Sequence, residues 1–230
     1  MSKYVASIPL GDIERVQIYI NKSVKTLAEI KAETGADYLI NGGLYQGPKA
    51  VCHLRADGRT YAKDPYTYWG YAWDTGPDIT LRSVPAAERR NYICCVCLLR
   101  GGKAETLIYN RDVGGSRPRT AIGLKDGALC LYCTDSGRTP EELQAELLGW
   151  ESSVMLDGGG SSQCDLAGKR IVSSRKVHNL ILVYKRKRAP SEPDDSDKED
   201  KPMSTKYTVC LDPGHGPDTV NGSPDGSYKE

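Results

Sequence analysis

The chain has 230 residues, 39% of them hydrophobic and 27% charged, with a formal net charge of +1. That is enough apolar material for one large packed domain, while the near-zero charge argues against nucleic acid as a partner. No apolar run is long enough to span a membrane, and the absence of Phe leaves Tyr, Trp, Leu and Ile to fill the core.

The first segment, MSKYVASIPLGDIERVQIYI, has neither the apolar region nor the cleavage site of a signal peptide. The expectation is a chain made in the cytoplasm; any action outside the cell requires release by other means. SVKTLAEIKAETGADYLINGGLY then reads as helix followed by strand. Thr26 and Glu29 have capping-box spacing, Gly35 is a C-terminal stop, and Leu27, Ile30 and Ala28 are assigned to a core face. The strand ADYLIN enters a Gly-Gly turn, and Asp57-Gly58 signals a hairpin between two short strands. ITLRSV, NYICCVCLL and AETLIYN continue the strands, and TAIGLKDGALCLYCT is a hairpin turning at Asp126-Gly127.

A second helix starts at RTPEELQAELLGW, with Thr139 as cap, Pro140 as first helical residue, Glu142 closing the capping box and Gly149 as its end. SVMLD follows as a strand, and HNLILVYK is continuously apolar, as a central strand would be. The cysteines of CCVC (Cys94, Cys95, Cys97) and CLYC (Cys130, Cys133) fall within strand patterns rather than on turns. Zinc ligands prefer turns, so these thiols are read as reduced, small hydrophobes. KRKR reads as a solvated strand end, not a nucleic-acid patch.

Residues 188–205 are acid, proline and serine with almost no apolar residue, which is a flexible-linker composition. Residues 206–230 open a new strand, KYTVCLDPGHG, but are too few for a core of their own. The expected fold class for residues 1–187 is α+β: mostly antiparallel strands in mixed sheets, packed by helices near residues 24–34 and 140–149. The strand ends at Asn41, Asp157 and Asn179 are expected to converge.

One stretch demands a reason of its own. In VMLDGGGSSQCDL an apolar strand ends in Asp157, followed by Gly158, Gly159 and Gly160 and the hydroxyls of Ser161 and Ser162. Three glycines in a row are costly to order. A loop without side chains lets a ligand touch the backbone, and its N–H groups can form an anion-binding nest. The loop lacks the Lys of a P-loop and is not GxGxxG. A turn needed only for its backbone angles is the plain alternative. LINGGLY sets Asn41 at a strand end, GGSRPRTAIGL offers Arg117 and Arg119 for phosphate, and SRKVHNLILVY brings His178 and Asn179 to the last strand.

In their order, ADYLINGGLY, RPRTAIGL, VMLDGGGSSQ and RKVHNLILVY resemble the phosphodiester glycosidase family over about residues 36–184. Where the family carries Phe after NGG, this chain has Leu44-Tyr45. The resemblance implies a hydrolase that cleaves between a sugar's anomeric carbon and a phosphate diester, with N-acetylglucosamine as the type sugar. Phosphate is a good leaving group, so neutralising its charge matters more than a strong general acid. In that reading Arg119 is the phosphate clamp with Arg117 as helper. The amides of Gly158, Gly159 and Gly160 and the hydroxyls of Ser161 and Ser162 hold phosphate or sugar oxygens. Asp157 is nucleophile, base for water, or holder of sugar hydroxyls. Asn41 and Asn179 orient the substrate beside His178. No cofactor is implied for residues 1–187.

The motif Asp212-Pro213-Gly214-His215-Gly216 resembles the opening of the zinc-dependent N-acetylmuramoyl-L-alanine amidases. The resemblance implies that His215 and Glu230 are zinc ligands, and that residues 206–230 begin an α/β amidase domain, inactive as it stands. A third ligand and a catalytic Glu have no counterpart here. Together the two resemblances imply a cell-envelope hydrolase, bacterial or phage-borne, acting on glycosyl phosphates and peptidoglycan. Two rivals remain. A non-catalytic glycan-binding module could target the amidase to the wall. A structural phage-tail protein would need oligomerising segments, and no long coiled-coil pattern is present.

Overall fold

The structure, a computed structural model, describes residues 1–63, 69–83 and 89–187. The linker and the DPGHG segment, with His215 and Glu230, lie outside the described residues. In chain order the strands are β1 (Lys3–Pro9), β2 (Ile13–Ile20), β3 (Tyr38–Asn41), β4 (Tyr45–Gln46), β5 (Lys49–Ala50), β6 (Leu54–Ala56), β7 (Arg59–Ala62), β8 (Gly70–Trp73) and β9 (Thr80–Arg82). Then follow β10 (Asn91–Cys94), β11 (Val96–Arg100), β12 (Lys103–Ala104), β13 (Arg117–Lys125), β14 (Ala128–Arg138), β15 (Ser152–Met155), β16 (Cys164–Leu166), β17 (Lys169–Ile171) and β18 (Asn179–Lys185). Two α-helices interrupt them, α1 (Leu27–Thr34) and α2 (Pro140–Glu146).

The strands form a six-stranded sheet in the order β1-β14-β13-β15-β11-β12 and two five-stranded sheets, β7-β6-β10-β8-β9 and β17-β16-β3-β18-β2, besides the small ribbon β4-β5. The expectation is mostly antiparallel strands in mixed sheets; every pairing among the described residues is antiparallel. The hairpin turns explain part of this. Asp57-Gly58 and Asp126-Gly127 all have positive φ, the left-handed pair of angles that a tight two-residue hairpin requires.

β18 shows why an antiparallel strand can be apolar throughout. Ile181 and Val183 point into the main core, shared with Ile8, Ile122 and Leu131 of the six-stranded sheet. Leu180 and Leu182 point the other way, onto Leu27 and Ile30 of α1. Alternate residues thus fill two different cores. Helix α1 begins as expected, with Thr26 and Glu29 closing a reciprocal capping box, and ends at Gly35 in the left-handed region. Ala28, assigned to a core face, is exposed instead.

Other expectations needed correction. Helix α2 has the Thr139–Glu142 capping box but stops at Glu146, short of Gly149. NYICCVCLL is two strands, not one: β10 pairs in a five-stranded sheet, and after Cys95 the chain crosses to the six-stranded sheet as β11. A strand that changes sheets needs such a break. AETLIYN contributes only the end of β12, because Gln144 of α2 caps the Leu98 and Glu105 carbonyls there. The N-terminal segment, not assigned to an element, forms β1 and β2 at the rims of two sheets. Seven cysteines fall among the described residues, five of them buried.

Candidate active site

The five-stranded sheet β17-β16-β3-β18-β2 carries the site on one edge. The C-terminal ends of β3 and β2 and the N-terminal ends of β18 and β16 all open there, because neighbouring strands run antiparallel. β15 arrives at the same place from the six-stranded sheet. The Asp157 N–H donates to the Gly42 carbonyl at 3.0 Å, and the Gly42 N–H donates to the Asn179 carbonyl at 2.9 Å. Asn41, Asp157 and Asn179 therefore meet, as the strand ends suggested.

The two asparagines are bonded to protein groups. Asn41 is fully buried. Its Nδ2 donates to the Asp157 carbonyl at 2.8 Å, and its Oδ1 accepts from Thr120 Oγ1 at 2.8 Å and from the Gln163 N–H at 3.1 Å. Asn179 accepts from the Gly43 N–H at 2.8 Å and donates back to the Gly43 carbonyl at 3.3 Å. Both amides bond the backbone around Asp157. A Cβ on Gly42 would collide with Asn179 Oδ1, which is why glycine follows Asn41.

The glycine loop answers the question its cost raised. Each glycine faces a different arginine. A Cβ on Gly158 would sit 2.9 Å from the Pro118 carbonyl and 3.4 Å from Arg119 Nη1. One on Gly159 would lie 3.8 Å from Arg117 Cδ, and one on Gly160 would lie 3.2 Å from Arg175 Cζ. Gly159 also has φ +60°, which disfavours other residues. Arg175 opens RKVHNLILVY, one of the stretches that carry the family resemblance, and takes no role in the sequence reading.

Arg119 is 1% exposed and makes no ion pair within 4.0 Å among the described residues. Its Nε donates to the Arg138 carbonyl at 2.8 Å, Nη1 to Val113 at 3.0 Å and Nη2 to Gly115 at 2.5 Å. A guanidinium has five N–H donors, so three carbonyls fix its plane and two donors remain. Burial lowers its pKa, and the neighbouring charge of Arg117 adds to that. Glu141 lies within its field and partly offsets the cost of burying the cation.

The Asp157 carboxylate is half-buried. Its Oδ1 accepts from the Gly158 N–H at 2.9 Å, and the Ser161 hydroxyl hydrogen-bonds it. Arg175 Nη1 in turn donates to Ser161 Oγ at 3.2 Å. Burial raises the Asp157 pKa, against the lowering effects of Ser161, the Gly158 N–H and the Arg175 charge. The expected amide nest is only partly present. The N–H groups of Ser161 and Ser162 close a short 3-10 turn onto Gly158 and Gly159. Ser162 Oγ is buried with no partner among the described residues. His178 stands apart from the loop, on a neighbouring cleft with Tyr45. No group of three or more His, Cys, Asp or Glu is clustered for a metal among the described residues. No helix among them is long and apolar enough to cross a membrane.

One half-buried carboxylate thus stands at the strand ends of packed antiparallel sheets, beside a glycine loop that three arginines approach. The chain belongs to the phosphodiester glycosidase family, whose model matches residues 24–184; the family comprises hydrolases acting on phosphodiester-linked sugars. The fold is similar to the zebrafish N-acetylglucosamine-1-phosphodiester alpha-N-acetylglucosaminidase catalytic domain, auto-inhibited there by its pro-peptide. That match has TM-score 0.61 and 15% identity over 80% of this chain and 83% of the other. A Synechocystis protein matches with TM-score 0.61 and 11% identity, over 80% of this chain and 59% of its own. A Burkholderia pseudomallei protein matches with TM-score 0.55 and 12% identity, over 79% of this chain and 73% of its own. No curated protein sequence matches the chain.

Proposed function

We propose that residues 1–187 hydrolyse a sugar-1-phosphodiester, releasing the sugar from its bridging phosphate. The observation that carries this reading is the pairing of each loop glycine with one arginine around a single carboxylate. Phosphate oxygens approach the backbone at Gly158–Gly160 while Arg119, held by three carbonyls, and the more exposed Arg117 and Arg175 neutralise their charge. Preorganised donors of this kind need no rearrangement as charge builds on the leaving phosphate. Asp157 supplies the negative charge that an oxocarbenium-like transition state requires on the sugar side. Asn41 and Asn179 hold the two strands whose ends set that distance.

The substrate we assign is an N-acetylglucosamine-1-phosphodiester within a cell-envelope glycan. The DPGHG motif supports that setting through its resemblance to wall amidases; zinc, bound by His215 and Glu230, belongs to that part of the proposal. The full chain is incubated with a chromogenic sugar-1-phosphodiester, beside Asp157→Asn and a matched simple glycoside. Turnover of the phosphodiester alone, lost in the variant, supports the reaction. Binding without turnover replaces it with the glycan-binding reading. Proton NMR of the first-formed anomer separates direct attack by Asp157, which retains configuration, from attack by water, which inverts it.

A further inference from the structure

A second cleft of about 440 Å³ opens on the same sheet edge as the glycine loop, lined among others by Ile20, Lys22, Tyr45, Pro48, Lys176 and His178. Its place follows from the strand order. The loop runs into β16, while the cleft is built on the ends of β18 and β2, two to three strands further along β16-β3-β18-β2. At about 4.8 Å per strand, the two sites are roughly 10–14 Å apart. Arg175 at the loop and Lys176 and His178 at the cleft belong to one short segment.

The floor of the cleft is rigid and apolar. The His178 and Tyr45 rings stack, with centroids 6.1 Å apart and planes 23° from parallel. The His178 tautomer is set by its neighbours. Asn179 Oδ1 accepts from Gly43, so Nδ2 is the group facing His178 Nδ1 at 3.1 Å, and an amide nitrogen can only donate. Nδ1 therefore accepts, and the other ring nitrogen donates to the Pro48 carbonyl. Both imidazole nitrogens are occupied by protein, and burial lowers the His178 pKa, so His178 serves as a neutral flat surface rather than an acid or base. The charge comes from the rim, where Lys22 and Lys176 are both exposed and Lys176 also feels the Glu29 carboxylate.

We infer that this cleft is a binding subsite for the neighbouring repeat of a phosphate-bridged glycan, with the sugar ring on the Tyr45–His178 surface and its anionic group between Lys22 and Lys176. An aromatic floor suits the C–H face of a pyranose, and a rim of ammonium groups suits phosphate as a point charge. The spacing lets one chain occupy loop and cleft together, so the protein recognises a polymer rather than a single glycosyl phosphate. This inference rests on the phosphodiester reading for the identity of its ligand, not for its geometry.

The test uses the full chain and non-cleavable methylene-phosphonate analogues of one and two N-acetylglucosamine-1-phosphodiester repeats, titrated by calorimetry. The two-repeat analogue is expected to bind at least ~10-fold tighter, a difference of about 1.4 kcal/mol. The ratio of the two Kd values should fall to about one in Lys22→Ala/Lys176→Ala, fall in Tyr45→Ala, and shrink with added salt. Equal Kd values in the wild type overturn the subsite, as does a preference that survives in both variants. Turnover of a one-repeat ester is measured in parallel. Turnover without length preference sinks the subsite alone; length preference without turnover keeps the subsite and sinks the catalytic reading.

Discussion

Asn41 Nδ2 donates to the backbone carbonyl of Asp157 at 2.8 Å, tying the end of one sheet's strand to the residue that leaves the other. The same side chain accepts from Thr120 and Gln163, so one buried amide joins β3, β13 and the end of the glycine loop. This contact and the Gly42 carbonyl place the Asp157 backbone, while Gly158 and Ser161 of its own loop hold the carboxylate.

Asn41→Ala would leave Thr120 Oγ1, the Gln163 N–H and the Asp157 carbonyl short of a partner in a buried site. Each unsatisfied buried group costs about 1–3 kcal/mol, less where relaxation helps. An overall loss of about 2–4 kcal/mol is expected, lowering Tm by roughly 5–10 °C for a domain of this size. Turnover should fall through kcat more than KM, because the carboxylate shifts while the arginines stay. Calorimetry with steady-state kinetics checks both; an unchanged Tm would contradict the brace.

The raised pKa of Asp157 has a definite sign in each kind of measurement. If its ionised form is required, activity is lost as pH falls through the raised pKa. The acid limb of kcat/KM should then lie above the ordinary carboxylate value of about 3.9. Ser161→Ala and Arg175→Gln each remove a lowering influence, so both should move that limb to higher pH. A limb that moves down would reverse the assigned electrostatics.

The same shift bears on stability. A carboxyl raised on folding favours the folded state while protonated, a contribution lost as pH rises through the folded pKa. At pH 7 the Asp157 charge is therefore a burden on the fold. Asp157→Asn should abolish turnover yet melt no lower than the wild type at pH 7. A clearly lower Tm would mean that its ionic contacts outweigh burial.

Gly158→Ala tests the close approach of loop and arginine strand. The new methyl would press on the Pro118 carbonyl at 2.9 Å and on Arg119 Nη1 at 3.4 Å. Forcing an atom into such a contact costs about 1–3 kcal/mol, and phosphate affinity should fall with it. Gly158 has φ -122°, so no left-handed strain accompanies that contact; Gly11→Ala, whose Cβ would meet nothing within 4 Å, is the control for the methyl alone.

Arg119→Lys keeps the charge and loses the planar fork. Three backbone carbonyls would share one ammonium with no fixed direction, so phosphate binding should weaken by about 10–100-fold. The same change at the exposed Arg117 should cost less. Equal losses at both positions would remove Arg119 from its place as the principal clamp.

Much of this molecule is legible in one dimension. The capping boxes at Thr26 and Thr139 and the hairpins at Asp57-Gly58 and Asp126-Gly127 are local matters. Neighbours in sequence satisfy them, so their residue types state them. The glycine loop announced close approach for the same reason: only a backbone with something against it requires three glycines. What approaches is not local. Arg117, Arg119 and Arg175 come from two strand beginnings and reach the loop only because two sheets pack together. Asn41 and Asn179 look like ligand residues in sequence and are bonded to protein groups in the structure, since an amide's partners are chosen by whichever strands surround it. The crossing at Cys95 and the antiparallel order of every sheet are likewise set by which faces can be buried together, a property of the packed whole that no single segment carries.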